Sequence, residues 1–359
     1  MTAVRERGGV GDVLEARGEP GWAELWETLR ALLDGADPAV RVIGVQQLKA
    51  KVYRLQLDAG APWSSVVVKR LEPAVAHRTQ LVAQRWLPAL GLGDRCARLL
   101  GVAGDRAARL VWHVYEDLGD DTLAARPTSD RVRATVDLVA EFHTRAARHP
   151  VLPDVRRYGE GFGIQYFTAN VADAIAALEG LAASGIEPPP EHAGVTARLL
   201  ERLRGLTADT PRRARAFERA AGPDTLLHGD LWTINAFVAE TTGGGAGGRG
   251  GGPRARLVDW DKVGVGPFSY DLSTFLFRFP PAERPWVLEY YRKAVTRAGW
   301  RLAPARELQL LFDTAERARY ANRLIWPALA LLQERADWGF PELAEVERWF
   351  RELDRCPSA

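Results

Sequence analysis

The sequence predicts an α+β chain in which a small antiparallel sheet with one helix precedes a larger, mainly helical region. Three observations carry that class. Short β-branched segments separated by turn residues crowd residues 40–115, helical spacing dominates from residue 129 onward, and the period changes at Asp117-Leu118-Gly119.

Each element follows from its local pattern. Trp22, Leu25, Trp26, Leu29, Leu32 and Leu33 recur at helical spacing and predict an amphipathic helix over 21–33. Segments 40–45, 52–57 and 64–70 are short and β-branched, with Asp58-Ala59-Gly60-Ala61-Pro62 as a turn, so they read as successive antiparallel strands. A helix is expected over 74–90, then strands over 97–102 and 107–115 around Gly104-Asp105. Val132, Val136, Val139, Phe142 and Ala146 share one face of a helix over 129–148, with Ser129 as its cap. Further helices are expected at 168–184, 193–206, 285–298 and 306–337. Leu226, Leu227, Ile234, Ala236, Val238, Leu257 and Val258 form apolar pieces too short for helices, so a hairpin interrupts the helical region, with the glycine tract 243–252 as its flexible loop. Residues 245–250 match GxGxxG, but they run into Gly-Gly-Pro and a strand instead of opening a helix whose amino terminus could hold phosphate. The expected organisation is a disordered leader over 1–20, a first lobe over 21–116 and a second over 117–359.

Composition removes several function classes. Forty-eight Lys and Arg against 46 Asp and Glu in 359 residues leave a net charge of +2, and no basic block is longer than 211–215, so a nucleic-acid footprint is excluded. A 47% hydrophobic content excludes a disordered chain. Cys96 and Cys356 form no CxxC pairing, which leaves neither a disulfide framework nor a structural zinc site and implies a reducing compartment. The leader scatters Arg5, Glu6, Arg7, Asp12 and Glu15 among glycines and cannot act as a signal peptide. The longest apolar run, 324–332, is about half the roughly 20 residues of a bilayer span and contains Pro327. The expectation is a cytoplasmic protein, monomer or homodimer, with no nucleic-acid or membrane partner.

The chemistry concentrates in His228-Gly229-Asp230-Leu231-Trp232-Thr233-Ile234-Asn235 and in Leu257-Val258-Asp259-Trp260-Asp261. An acid ends one apolar strand, an amide follows five residues later, and a second acid ends another apolar strand. A loop between two such strands can aim Asp230, Asn235 and Asp259 into one cleft, as hard oxygen ligands suited to Mg²⁺ held partly through substrate phosphates. Singly, His228 and Asp230 would be read as residues closing a turn by local hydrogen bonds.

The joint pattern, His-x-Asp-Leu-x-x-x-Asn with a later hydrophobic-Asp-Trp-acid, resembles the aminoglycoside phosphotransferase and choline kinase family, relatives of the protein kinases. That resemblance implies a protein-kinase-like two-lobed fold, with Asp230 as catalytic base, Asn235 and Asp259 as Mg²⁺ ligands, and His228 and Asp261 in support. It implies that Lys69, ending the strand Val66-Val67-Val68-Lys69, contacts nucleotide phosphates, in a chain with five lysines against 43 arginines. Trp112 to Gly119 stands where the family's hinge receives the base through backbone groups, which places Glu116 and Leu118 at the nucleotide. Gly44 to Ala50 stands where a loop covers the phosphates; Lys49 and Lys51 are read as decorating the hairpin. Kinases pair the strand lysine with a helix glutamate, yet no Glu lies between Glu72 and Glu116, and Gln80 and Gln84 are the nearest stand-ins to orient Lys69. Trp232 stands where the family often has histidine. Asp271, in Gly266-Pro267-Phe268-Ser269-Tyr270-Asp271-Leu272, is expected to support the catalytic loop, and His143 is read as a satisfied core histidine. Only nine residues separate Asp261 from Asp271, too few for a peptide-binding activation segment.

The expected activity is transfer of the γ-phosphoryl group of ATP, or of GTP, to a hydroxyl of a small molecule. Tyr158, Glu160, Phe162 and Tyr166, then Tyr320, Trp326, Glu334, Asp337 and Trp338, put aromatics near acids and suit a cationic, polyhydroxylated acceptor such as an aminoglycoside or other antibiotic. A kinase of a sugar, choline-like alcohol or biosynthetic intermediate is the alternative. A catalytically silent nucleotide-binding homologue is the alternative of another class, favoured by the missing helix glutamate. A hydrolase lacks its signature, since no GxSxG elbow exists and neither cysteine sits in a motif.

Overall fold

The computed structural model describes residues 19–33, 42–58, 61–240 and 252–355. The leader over 1–18, most of the glycine tract and Cys356 lie outside the described residues. The first elements are α1 (Trp22–Leu33), β1 (Val42–Lys49), β2 (Val52–Leu57), β3 (Ser65–Leu71), α2 (Pro73–Leu81), β4 (Leu99–Gly104), β5 (Val111–Glu116) and α3 (Ser129–Ala146). There follow α4 (Leu152–Tyr158), β6 (Glu160–Gly161), α5 (Ile164–Ala183), α6 (Val195–Ala208), α7 (Thr210–Ala220), β7 (Asp224–Leu227), β8 (Ala236–Glu240), β9 (Pro253–Leu257) and β10 (Gly264–Pro267). The chain ends with α8 (Ser269–Leu276), α9 (Arg284–Arg297), α10 (Ala305–Glu334) and α11 (Gly339–Arg355).

The chain packs as two compact units. Described residues up to Leu138 join the described residues of Ile234–Val263, and Val139–Thr233 joins the described residues of Gly264–Ala359. In the first unit five strands form an antiparallel sheet in the order β1-β2-β3-β5-β4. Trp22, Leu25, Leu29 and Leu33 of α1 join a core with Tyr53, Leu55, Val66, Val68, Trp112 and Val114. Each such side chain contributes about 1.5–3 kcal/mol when fully buried. The approach of α1 to the sheet depends on Gly101 in β4, where an added Cβ would lie 2.9 Å from Thr28 and 3.0 Å from Leu32.

Several local expectations are corrected. The helix expected over 74–90 is regular only to Leu81; Val82–Trp86 forms a π turn in which the Leu87 N–H bonds the Val82 carbonyl. Pro88 supplies the reason, because it has no N–H for a regular helical bond and a wider turn absorbs the defect. Strand β4 runs on to Gly104 and β5 begins later than expected because Asp105 organises the connection. Its N–H bonds the Leu110 carbonyl at 3.0 Å and its carboxylate accepts from the Ala107 N–H at 3.2 Å. The hairpin is formed by β8 and β9 alone. Leu226 and Leu227 belong to β7, which pairs with β10 in a separate three-stranded sheet, β6-β10-β7. The hairpin packs with the first unit, where Leu123 N–H bonds the Ala236 carbonyl at 2.7 Å and Val238 N–H bonds the Asp121 carbonyl at 3.1 Å. Division by packing follows other bounds than the lobe division at 116/117 expected from the change of period.

The second unit is built on helices. Helices α5 and α10 pack together, with Asn322 donating to Asn170 at 2.6 Å, and Phe268, Tyr291 and Phe312 form an aromatic core. Helices α4, α7, α8 and α11 were not among the expected elements. In α8 every residue is buried, so no polar face marks a period; in α7 the buried Arg213, bonded to Asp313 at 2.7 Å and Thr314 at 2.8 Å, stands on the inward face where a hydrophobic residue would have signalled it. Among the described residues no helix is long and apolar enough to cross a membrane.

Replacing Gly101 by valine is expected to push α1 off the sheet and cost about 1–3 kcal/mol, as overpacking does. Gly104→Ala, with nothing within 4 Å of the added Cβ, is the matched control. Urea unfolding midpoints compare them, and equal midpoints would contradict the close packing of α1 at Gly101.

Candidate active site

In the first unit a pocket runs along the sheet. Val52, Val67, Val82, Ala97, Phe237 and Leu257 supply apolar walls, and the segment from Tyr115 to Gly119 forms one margin. Lys49, Lys69, Asn235, Asp259 and Asp261 gather at its polar end. An apolar slot that ends in a few convergent charged groups fits a flat base with a charged tail. Glu116 and Leu118 both line it. The Glu116 carboxylate is engaged by Arg256 and by the Arg98 N–H at 2.6 Å, and these partners outweigh burial and hold it below the usual carboxylate range. What Glu116 can offer a ligand is therefore backbone. Cys96 also lines the slot, but burial pushes its thiol up to about 11, which keeps it protonated and inert at neutral pH.

The centre of the polar end is Asp259, the residue after Val258 beyond β9. Its backbone is left-handed, φ 67° and ψ 53°, between the strand and a 3-10 turn over Trp260–Lys262. Aspartate tolerates this conformation better than most residues, and such backbone persists where surroundings over-determine it. The surroundings are explicit. Lys69 Nζ lies 2.5 Å from Asp259 Oδ1 and 2.6 Å from Asp261 Oδ1, and Lys49 Nζ lies 2.7 Å from Asp259 Oδ2. Burial raises the Asp259 carboxyl, but the two ammonium groups more than offset it and leave the group well below the usual range. Asp261 moves the other way: burial and the Asp259 charge together outweigh the pull of Lys69 and Lys49. Lys69 itself resists the downward pull of burial because two carboxylates face it.

This geometry changes the reading of two lysine assignments. Gln80 and Gln84 do not orient Lys69; Gln80 donates to Gln84 at 3.0 Å, and neither lines the pocket. Carboxylates arriving from the loop after β9 hold Lys69, while α2 contributes Arg78, whose guanidinium donates to the Asp261 carbonyl at 2.7 Å. Lys49 is a member of the polar end and not a hairpin ornament. Its strand neighbour Val52 also pairs with Lys69, so the register of three strands brings the two lysines to one carboxylate. The available signal for Lys49 was its rarity, one of five lysines among 43 arginines.

Asn235 is buried in a turn over Thr233–Asn235, and its carbonyl accepts from the Val258 N–H at 3.0 Å, which ties it to the residue before Asp259. Oxygens of Asn235, Asp259 and Asp261 are hard donors, and Asp259 already attracts two ammonium ions, so the position favours cations. Among the described residues no cluster of three or more His, Cys, Asp or Glu gathers as a metal cage. Mg²⁺ held by few protein groups fits such a donor set.

In the second unit β7 delivers His228-Gly229-Asp230. Asp271, in the first turn of α8, accepts the N–H groups of His228 at 2.7 Å and Gly229 at 2.8 Å, and lies 3.3 Å from His143 Nε2. Burial raises its carboxyl, and the bond from His143 with the other local partners brings it below the usual range. His143 is buried with its Nδ1 2.8 Å from the Tyr291 hydroxyl. Gly229 has φ +79°, a conformation glycine adopts freely. His228 is buried and its Nδ1 accepts the Asp230 N–H at 3.3 Å, while Asp230 remains half-buried. The loop is thus braced through its backbone, leaving Asp230 as its accessible acid.

A slot with paired lysines and acids at one end, and a braced His-Gly-Asp loop on a kinase-like scaffold, define a phosphotransferase. The family model described as "Phosphotransferase enzyme family" matches residues 39–308, and the chain belongs to that family, which includes aminoglycoside phosphotransferases and choline kinases. It is an ATP-dependent phosphotransferase with an alcohol group as acceptor. Three solved structures share the fold. A Plasmodium vivax ethanolamine kinase is 10% identical with a TM-score of 0.58, covering 96% of this chain and 95% of its own. A spectinomycin phosphotransferase, solved with ADP and spectinomycin, is 13% identical with a TM-score of 0.54 over 88% and 93%. A choline kinase from Streptococcus pneumoniae is 14% identical with a TM-score of 0.53 over 90% and 98%. No curated protein sequence matches the chain.

One pH dependence follows from the first unit. His113 pairs with Lys69 across β3 and β5, is fully buried, and is lowered from 6.5 to about 4 by burial and by the Lys69 charge. A histidine that stays neutral when folded contributes stability present above its unfolded value and lost as pH falls through its folded value. The shift corresponds to about 3 kcal/mol. Wild type should therefore lose stability between pH 6.5 and about 4, and His113→Gln should lose distinctly less over that window, read from urea midpoints. Parallel profiles would remove His113 from the account.

Proposed function

We propose that the first-unit pocket binds MgATP and that Asp230 orients the acceptor hydroxyl and accepts its proton as the γ-phosphoryl group transfers. The hydroxyl oxygen forms a bond to phosphorus, the bond to the ADP oxygen breaks, and the hydroxyl proton passes to Asp230. Lys69 and Lys49 bind nucleotide phosphates, exchanging one anionic partner, Asp259, for another. Asn235 and Asp259 would hold Mg²⁺, with Asp261 beside them; the ion supplies charge neutralisation at the phosphates. Asp271 and His228 keep the loop in shape and make no contact with substrate. The convergence of Lys49, Lys69, Asp259 and Asp261 at one end of an apolar slot carries this reading. It also weighs against a catalytically silent homologue, because the absent helix glutamate is replaced by two carboxylates on Lys69.

Support for a particular acceptor comes from the second unit. Tyr320 packs edge-on against the buried Phe350 and tilted against Trp349, and Trp326 and Trp338 are exposed on the surface. They give little support to a cage for a polycationic antibiotic. Phe162, Tyr166 and Tyr270 form an aromatic group with ring separations of 4.9–5.7 Å, and Tyr166 feels the charge of Asp230. A small hydroxylated molecule, antibiotic or biosynthetic intermediate, fits that setting.

Asp230→Ala should lower turnover by roughly 10²–10⁴-fold, the loss typical of a general base, while calorimetry still detects the nucleotide. Phosphorylated product is followed by mass spectrometry with MgATP, then MgGTP, and a panel of hydroxylated amines, sugars and acids. Turnover unchanged by the substitution would remove Asp230 from the mechanism.

A further inference from the structure

Arginines in this chain are usually paired. Among the more buried ones, Arg54 meets Asp117, Arg131 meets Asp121, Arg213 and Arg317 meet Asp313, and Arg319 meets Glu316. Arg278, just beyond α8, departs from this pattern. Its guanidinium lies over the Trp232 ring, 3.9 Å from the centroid; its Nε is buried without a hydrogen-bond partner, and no carboxylate among the described residues forms an ion pair with it. Trp232 in turn is tied to Asp230, because its N–H donates to the Asp230 carbonyl at 2.8 Å.

We propose that Arg278 receives an anionic group, carboxylate or phosphate, carried by the acceptor whose hydroxyl Asp230 orients. This rests on the kinase reading above and narrows its acceptor. A guanidinium stacked on an indole keeps its N–H edge free for in-plane, bidentate contact with a planar or tetrahedral anion. Burial already weakens its charged form, a cost that an anion on the substrate would offset. Nearby acids do not favour a cation instead. Glu316 is fully buried and is engaged by Arg319 and, at 3.0 Å, by the Ser273 hydroxyl. Arg319 also donates to the Tyr270 carbonyl at 3.1 Å and, like Arg278, acts electrostatically on Asp230. With Asp230 reserved for the hydroxyl, a polycation would meet two guanidinium groups and, in Glu316, a fully buried carboxylate already paired with Arg319. A hydroxy acid or sugar phosphate would meet a cation that Trp232 stacks but no carboxylate pairs with among the described residues.

Two measurements decide the matter. In the full-length protein with AMP-PNP and Mg²⁺, the Nε–H NMR signal of Arg278, assigned by its disappearance in Arg278→Met, is titrated with gluconate, glycerol phosphate, glucose and kanamycin. A saturable shift with gluconate or glycerol phosphate, and none with glucose or kanamycin, is expected at millimolar concentration. Response to gluconate alone assigns a carboxylate to the acceptor, and response to glycerol phosphate alone assigns a phosphate ester. No response to either anion, or an equal response to glucose or kanamycin, overturns the proposal. The second measurement compares KM for charged and uncharged members of matched acceptor pairs. The anionic member should be preferred, Arg278→Lys should raise its KM by roughly 10–100-fold through loss of the bidentate contact, and Arg278→Glu should reverse the charge preference. An unaltered KM in both variants overturns the proposal, and their nucleotide affinity reports that they are folded. Because the NMR titration needs no turnover, a missing shift is distinguishable from failure of the kinase reading, which would appear as absent nucleotide binding and absent transfer to every acceptor.

Discussion

One carboxylate shared by two lysines organises the polar end of the first-unit pocket. Asp259 sits in a left-handed backbone turn with Lys69 on one oxygen and Lys49 on the other. Either ammonium alone would leave a buried carboxylate short of compensation, and removal of Asp259 would leave Lys69 with Asp261 alone and Lys49 without its carboxylate. The arrangement persists because the register of β1, β2 and β3 fixes the lysines, the hydrogen bond from Val258 to Asn235 fixes the approach of Asp259, and Arg78 fixes the carbonyl of Asp261. Strand pairing, loop conformation and charge balance are therefore one constraint.

That constraint explains how the chain manages without a glutamate in α2. A buried lysine needs an anionic partner, and the Asp-Trp-Asp segment supplies two. The same acids would suit a divalent cation, and in the proposed role a cation held by Asp259 would supply positive charge beside the lysines. The second unit follows a comparable economy. Asp271 satisfies two backbone N–H groups of the loop that presents Asp230, so the loop is shaped by a buried acid while Asp230 keeps its partly exposed position.

Much of this was legible in the sequence because it is local. The strands of the sheet follow from β-branched runs and turn residues, and His228 to Asn235 with Leu257 to Asp261 carry the resemblance to the family that the family model bears out. What could not be read there depends on side chains converging from distant segments. Lys49 and Arg78 resemble ordinary surface cations until strand register and helix packing bring them to Asp259 and Asp261. Arg278 is one of 43 arginines, and only its stacking on Trp232 without a carboxylate partner sets it apart. Helix α8 escaped notice because complete burial erases amphipathic period, and the π turn after α2 arises from Pro88, whose effect lies upstream of itself.

The most direct test of the central claim is the affinity for AMP-PNP, measured by calorimetry with Mg²⁺ and with EDTA, in wild type and Asp259→Asn. If Asp259 passes from the lysines to the cation, wild type binds much more tightly with Mg²⁺ than without it, and the variant loses most of that difference. An Asp259→Asn protein that keeps the full Mg²⁺ dependence would contradict the account.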